Sequence, residues 1–313
     1  MKKIPIVFCF DNNLEMPAGV CITSLLVNAE TDTFYDIFIL HSDKCTFLDS
    51  KLNELPARSG NCRITFRGVG QEFENAFETR GITVATYYRL LIPKIIPEYD
   101  KIIYSDVDVI FRNDLTHIYE STDLTDYYMA GVVSINANVE AGYTKYVKSS
   151  GLNPLTYIYA GNLIINCKRL REDCIVPRFI EEANRTRYKF QDMDIINVVC
   201  KGRIKRLPPV FCLSVAIDKY ATYRIENPCY TQQELEDAMQ HGIIHYNGAK
   251  PWKQYCPHFD IWWEYYRKSI CYDQLYYFDF FAQKMHEYDL MSLWERVKIL
   301  LRWFIGLKNR FRS

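Results

Sequence analysis

The chain has 313 residues, 49% hydrophobic and 24% charged, enough for one large α/β domain with an appendage or for two small domains. Its formal net charge is zero, which excludes the overall basic footprint of a general nucleic-acid binder. The eleven cysteines are scattered, odd in number and without a C-x-x-C pair; this excludes a disulfide framework and common zinc spacings and points to free thiols in a reducing cytoplasm.

The opening MKKIPIVFCFDNN has an apolar run that ends at Asp11 without a small-residue cleavage site, so Ile4–Phe10 reads as a first strand. A helical period follows over Ala18–Val27, a strand over Tyr35–Leu40, a helix over Phe47–Leu55 and a strand over Ile64–Phe66. That alternation predicts parallel β-α-β units. Thr83–Ile92 reads as a further helix, stopped by Pro93, leading through IIPEYD into the apolar run of KIIYSDVDVIF. Ligands of open α/β sheets bind at the carboxyl ends of strands, so Asp11 and the pair Asp106 and Asp108 are expected along one edge. Later come apolar runs at Met129–Val133, Tyr157–Asn166 and Ile243–Tyr246, with helical stretches at Asp194–Cys200 and Thr231–His241. From Pro251 the composition turns aromatic, as in FDIWWEYY and YYFDFF, which divides a catalytic domain of residues 1–250 from a C-terminal region of residues 251–313. No segment reaches the roughly eighteen uninterrupted apolar residues of a membrane span.

Side chains alternate across a strand, so two acids two residues apart at a strand end aim both carboxylates to one side. Two chemistries use such a pair. In a phosphatase of the haloacid dehalogenase type, one aspartate is the nucleophile and the other its acid/base partner. In a nucleotide-sugar transferase, both grip a divalent cation that in turn grips a diphosphate. The phosphatase motif normally closes the first strand, whereas about a hundred residues precede Asp106, and no convincing G-D-x-x-x-D partner follows. FCFDNN, ATYYRLLIP and IIHYNGAKPW instead supply Asp11, Asn13, Arg89, His245, Gly248 and Lys250 where a nucleotide-sugar enzyme needs them.

In the ordered strings IVFCFDNN, TYYRL, IIYSDVDVIF, YAGNLIIN, FQDMDIIN and HYNGAKPW, the chain resembles glycosyltransferase family 8 from about Ile4 to Trp252. That family includes bacterial lipopolysaccharide α-galactosyltransferases and α-glucosyltransferases and, more distantly, glycogenin. The resemblance implies a GT-A fold, with a Rossmann-like, mostly parallel mixed sheet flanked by helices and a helical C-terminal appendage. It implies a cytoplasmic, retaining transferase that moves a hexose, galactose or glucose, from a UDP-sugar to a lipopolysaccharide or other surface-glycan acceptor. By the same resemblance Asp106, Asp108 and His245 hold the metal, Mn²⁺ with Mg²⁺ as the substitute. An oxygen-rich site with one imidazole suits that ion. Asp11, Asn13, Arg89, Asp106, Val107, Gly161, Asp192, Gly248 and Lys250 are then the donor-binding set, with Asp192, Lys250 and Arg89 catalytic.

The chain departs from the family pattern at Leu14, where a base-stacking aromatic is common, at Tyr159 before Ala160-Gly161, and at Ser134. It also carries Met193 where the family has glutamine between two aspartates, which removes a candidate nucleophile and points either to front-face transfer or to a weakened, binding-only protein. Asp194 is expected to cap the following helix rather than to act. The last segment, Leu290–Ser313, carries a net charge of +5. Its helical period puts Trp294, Val297, Leu300, Leu301, Trp303, Phe304, Ile305 and Leu307 on one broad face, as in a helix lying on the inner face of a membrane.

Overall fold

The computed structural model describes residues 1–78 and 84–310, with the side chains of residues 302–310 left out. Among the described residues, ten strands form two sheets: β1 (Lys2–Cys9), β2 (Thr33–Ser42), β3 (Cys62–Val69), β4 (Lys101–Ser105), β5 (Val109–Ile110), β6 (Met129–Val133), β7 (Ile158–Asn166), β8 (Ile204–Leu207), β9 (Leu213–Ser214) and β10 (Ile244–His245). The larger sheet has seven strands in the order β3-β2-β1-β4-β7-β6-β8. Strand β7 runs antiparallel to both neighbours and the other pairings are parallel. This is the expected mostly parallel mixed sheet flanked by helices. Its central strands are apolar over their whole length because both faces are covered: Ile4, Ile6, Val7 and Phe8 of β1 are all buried. Pro5 is tolerated there because β4 pairs only with Ile6 and Val7.

Three expected elements take another form. The helical period over Phe47–Leu55 collapses to a 3₁₀ turn, Lys51–Glu54, and a short helix, Leu55–Ser59. Phe47 instead joins an aromatic cluster with Phe10, His41 and Phe66, and Ser50 caps the turn through Leu52 N. The segment expected as a helix over Thr83–Ile92 is 3₁₀ over Val84–Leu91, with Thr83 outside the described residues. Pro93 does not stop it but sits in the first turn of a short helix, Ile92–Ile95, where its missing N–H costs nothing. The helix expected from Asp194 starts earlier, as Gln191–Val199.

Helix Glu15–Val27 follows β1 and is buried on most sides, and the aromatic C-terminal segment packs against it. Trp262 and Trp263 of helix Phe259–Lys268 are buried, and Asn28 Nδ2 donates to Tyr265 Oη at 2.8 Å. Helices Gln274–Asp289 and Leu293–Arg310 end the described chain. All eleven cysteines are free thiols.

Candidate functional site

Strand β4 ends at Ser105, so Asp106, Val107 and Asp108 form the bend into β5. Pleat alternation therefore does not aim the two carboxylates; the neighbouring strands do. The antiparallel register of β4 with β7 puts Ser105 opposite Asn162, and Asp106 N donates to Gly161 O at 2.7 Å. The small sheet pairs His245 with Val109, and Tyr246 N donates to Asp108 O at 2.9 Å. Two residues of β10 thus bring an imidazole to carboxylates more than 130 positions earlier in the chain.

The three side chains converge. His245 Nε2 lies 3.6 Å from Asp106 Oδ2 and 3.3 Å from Asp108 Oδ1, and one ligand atom from each residue falls within 4.8 Å of the others. Two carboxylates and one imidazole so placed fit a divalent cation. Gly161 is required beside them on steric grounds: a Cβ there would stand 2.3 Å from His245 Cε1 and 2.8 Å from Asp106 Oδ2.

The other oxygen of Asp106 is already used. Tyr104 Oη donates to Oδ1 at 2.6 Å, and Arg89 Nη2 approaches it at 2.9 Å. Arg89 is buried, stacks over the Tyr104 ring at 4.3 Å, donates to Ala160 O at 2.7 Å and pairs with Asp192 Oδ2 at 3.3 Å. Thr86 Oγ1 completes the network by donating to Asp192 Oδ1 at 2.8 Å. Lys250 Nζ donates to Asp108 Oδ2 and to Tyr246 O. Burial opposes ionisation of Asp108, but His245 and Lys250 outweigh it and hold the carboxyl below its usual range. Burial raises Asp192, and Arg89 and Thr86 offset this in part. Burial also works against a charge on His245, yet Asp108 keeps the imidazole well above its ordinary value.

A cavity of about 440 Å³ opens on this cluster, lined by Asp11, Asn13, Leu14, Thr86, Arg89, Asp106, Val107, Asp108, Lys250 and Trp252 among others. Asp11 and the D-x-D pair thus share one edge, the carboxyl ends of β1 and β4. Asp11 also accepts from Asn13 N at 3.0 Å, which sets the turn that presents Asn13. Asp192 reaches the cavity through Arg89 and Thr86. Gly248 lies outside the lining; an added Cβ there would meet Val215 at an ordinary 3.5 Å, so packing does not demand glycine.

Asp194 has a structural role. Its carboxylate accepts from Phe190 N at 2.8 Å, from Tyr146 Oη at 2.6 Å and from Tyr157 Oη, reaching back from the first helical turn to the residue before it. Gln191, at the helix entry, has φ 43°, a left-handed conformation that stores roughly 1–3 kcal/mol next to Asp192. Met193 is half-buried and packs against two apolar clusters, a use that suits a flexible thioether. Sequence reasoning missed Tyr104, Thr86 and Cys212. Tyr104 carried a signal, standing two residues before Asp106.

Comparison with known proteins places the chain in a family and a fold. The family model described as Glycosyl transferase family 8 matches residues 5–256. A Haemophilus influenzae chain named as a glycosyltransferase is 32% identical over 210 residues, which cover 65% of this chain and 61% of that one. This chain therefore spans less than two thirds of that relative's length. Lipopolysaccharide 1,2-glucosyltransferase of Escherichia coli is 24% identical over 255 residues, covering 78% and 71%. The galactosyltransferase LgtC, solved in complex with donor and acceptor sugar analogs, superposes with a TM-score of 0.70 at 24% identity over 87% of this chain and 99% of that one. The shared architecture is the GT-A fold.

Proposed function

Because the chain belongs to glycosyl transferase family 8, we propose that it transfers a hexose, galactose or glucose, from a UDP-sugar to a lipopolysaccharide or other surface-glycan acceptor with retention of anomeric configuration. One observation carries the reading: Asp106, Asp108 and His245 gather beside Arg89 and Lys250 at a cavity on the carboxyl edge of the sheet. In this reading Asp11 and Asn13 hold uridine, and Val107, Gly161 and Gly248 lie along the donor. Asp106, Asp108 and His245 would hold Mn²⁺, or Mg²⁺ in its place. The cation supplies charge neutralisation of the leaving diphosphate.

Lys250 adds a cation at the same diphosphate, where charge grows as the glycosidic bond breaks. Arg89, fixed by Ala160 O and Asp106, holds the sugar end of the donor and favours the charged form of Asp192 against its burial. Asp192 orients the donor or acceptor hydroxyls. Retention by double displacement needs a nucleophile on the face opposite the leaving group, and Met193 offers none. Transfer is therefore front-face, with a phosphate oxygen of the departing UDP taking the proton of the incoming hydroxyl. A sugar adduct trapped on Asp192 would overturn that route. The phosphatase reading loses ground in the site itself, since Oδ1 of Asp106 is held by Tyr104 and Arg89.

The test is UDP release from a panel of UDP-sugars with Mn²⁺, with and without acceptor. Release from one UDP-hexose that stops with a chelator is expected; donor binding without release would make this a binding protein.

The reading also places the chain on the inner face of the membrane through helix Leu293–Arg310. Trp294, Leu300 and Leu301 are at least half exposed there, in a segment of net charge +5. No helix among the described residues is long and apolar enough to cross a membrane. Removing Leu290–Ser313 should release the protein from anionic liposomes and leave UDP binding intact; unchanged liposome binding would end the idea.

A further inference from the structure

His245 meets the carboxylate pair with Nε2, and its other nitrogen has a partner that the proposed reaction does not use. Cys212 is fully buried, one residue before β9, and its Sγ lies 3.4 Å from His245 Nδ1. The register fixes that approach, since β9 pairs with β10 so that Leu213 faces Ile244 and Ser214 faces His245. Among the described residues, Cys212 Sγ is the one hydrogen-bond partner of Nδ1. A neutral imidazole carries its proton on one nitrogen only, and a cation at Nε2 needs the lone pair there, which leaves the proton on Nδ1. That N–H is 6% exposed with its residue and must find an acceptor in the protein.

We propose that Cys212 is a positioning residue for the metal site: its sulfur accepts from His245 Nδ1–H and so holds the tautomer that leaves Nε2 bare toward Asp106 and Asp108. The inference rests on the metal reading above. Outer partners of ligating imidazoles are usually carboxylates, carbonyls or water, and a thiol is a weaker acceptor than any of these. The sulfur fits a pocket where no charge is wanted. A carboxylate at position 212 would add a fourth negative charge to Asp106, Asp108 and Asp192.

The test compares wild type with Cys212→Ser, which keeps an acceptor, and Cys212→Val, which keeps the bulk and removes it. Mn²⁺ binding is followed without nucleotide by electron paramagnetic resonance of the free ion. Cys212→Val is expected to bind about 10- to 100-fold more weakly, and Cys212→Ser to stay within about threefold of wild type. The imidazole ¹⁵N spectrum of Mg²⁺-loaded wild type is expected to show the proton on Nδ1. Equal affinity in wild type and Cys212→Val overturns the inference, as does an equal loss in both variants, which would mark packing rather than acceptance. Wild type that binds no Mn²⁺ overturns the metal reading and this inference with it.

Discussion

Two clusters of buried charge stand at opposite ends of the central strands, and they are balanced in opposite senses. At the amino ends, the Asp36 side chain is fully buried and receives Arg63 Nε at 2.8 Å and Nη2 at 2.6 Å, Lys3 Nζ at 3.1 Å and the Tyr99 hydroxyl. One carboxylate faces two cations, and both cations remain about half exposed, so water covers the surplus. At the carboxyl ends, the carboxylates Asp106, Asp108 and Asp192 face the cations Arg89 and Lys250, with His245 between. The first cluster is complete as it stands. The second is balanced only while His245 carries a proton; with the neutral imidazole that a cation at Nε2 requires it has a surplus of negative charge, and that surplus is what a divalent cation would neutralise.

The widest separation between the clusters comes from one isosteric change in each. Asp108→Asn should lower UDP release by about 10³-fold, the several kcal/mol that the cation contributes, and abolish measurable Mn²⁺ binding. Asp36→Asn should leave Mn²⁺ binding unchanged and destabilise the fold by about 2–3 kcal/mol in denaturant titrations. That is less than the ~3–5 kcal/mol for breaking a fully buried pair, because Arg63 and Lys3 can rehydrate. If Asp36→Asn weakened Mn²⁺ binding, the contrast would fail.

Lys250 tests the surplus from within. Without a metal its ammonium rests on Asp108, so it competes for the position that the cation requires. Lys250→Met should tighten Mn²⁺ binding by roughly two- to fivefold, the value of a partly exposed ion pair. The same change should lower UDP release by about 10²–10³-fold through loss of a donor to the leaving group. Opposite signs in one variant separate a competitor from a ligand; a loss of Mn²⁺ affinity would make Lys250 part of the metal site.

The two clusters were not equally legible in the sequence. Asp106 and Asp108 stood out as acids closing an apolar run, and Asp11 followed from the rule for strand ends. His245 did not follow from spacing. It came through the resemblance, because a two-residue strand such as β10 leaves no period to read. Thr86 and Cys212 stayed silent because hydrogen bonds between distant elements leave no local pattern, whereas Tyr104, two residues before Asp106, left a signal that went unused. The Asp36 cluster was missed for the same reason: Asp36 sits in an apolar strand, and its partners come from β1, β3 and the segment before β4. Short turns were misread where tertiary packing overrode helical period, as at Phe47, or where a proline opened a helix instead of closing one, as at Pro93.

The completeness of the Asp36 cluster also has a signature in acid. Burial opposes its ionisation, but Arg63, Tyr99 and Lys3 together hold its carboxyl below the ordinary value. The unfolded chain then binds more protons than the folded one as pH falls below about 4, the ordinary aspartate value. Stability from this group is present above that value and is lost as pH falls through the depressed folded value. The difference between wild type and Asp36→Asn should be largest near neutrality and shrink below about pH 4, read from chemical denaturation at each pH. A difference that stays constant into acid would assign the Asp36 contribution to packing and not to charge.

The smallest effect is expected at Met193, and its smallness is informative. If the carboxylate surplus and Lys250 carry the transfer, a side chain packed into two apolar clusters contributes by filling space. Met193→Gln would then change UDP release by less than about tenfold, under 1.4 kcal/mol of barrier. The amide would also bring polar atoms into an apolar setting, so the variant should melt no higher than wild type. A gain of about 10²-fold or more would instead mean that glutamine performs chemistry at this position, and that the natural methionine has moved the chain toward binding. The contrast between the clusters would survive that outcome, but the charge surplus would then mark where a donor is held and not how it is broken.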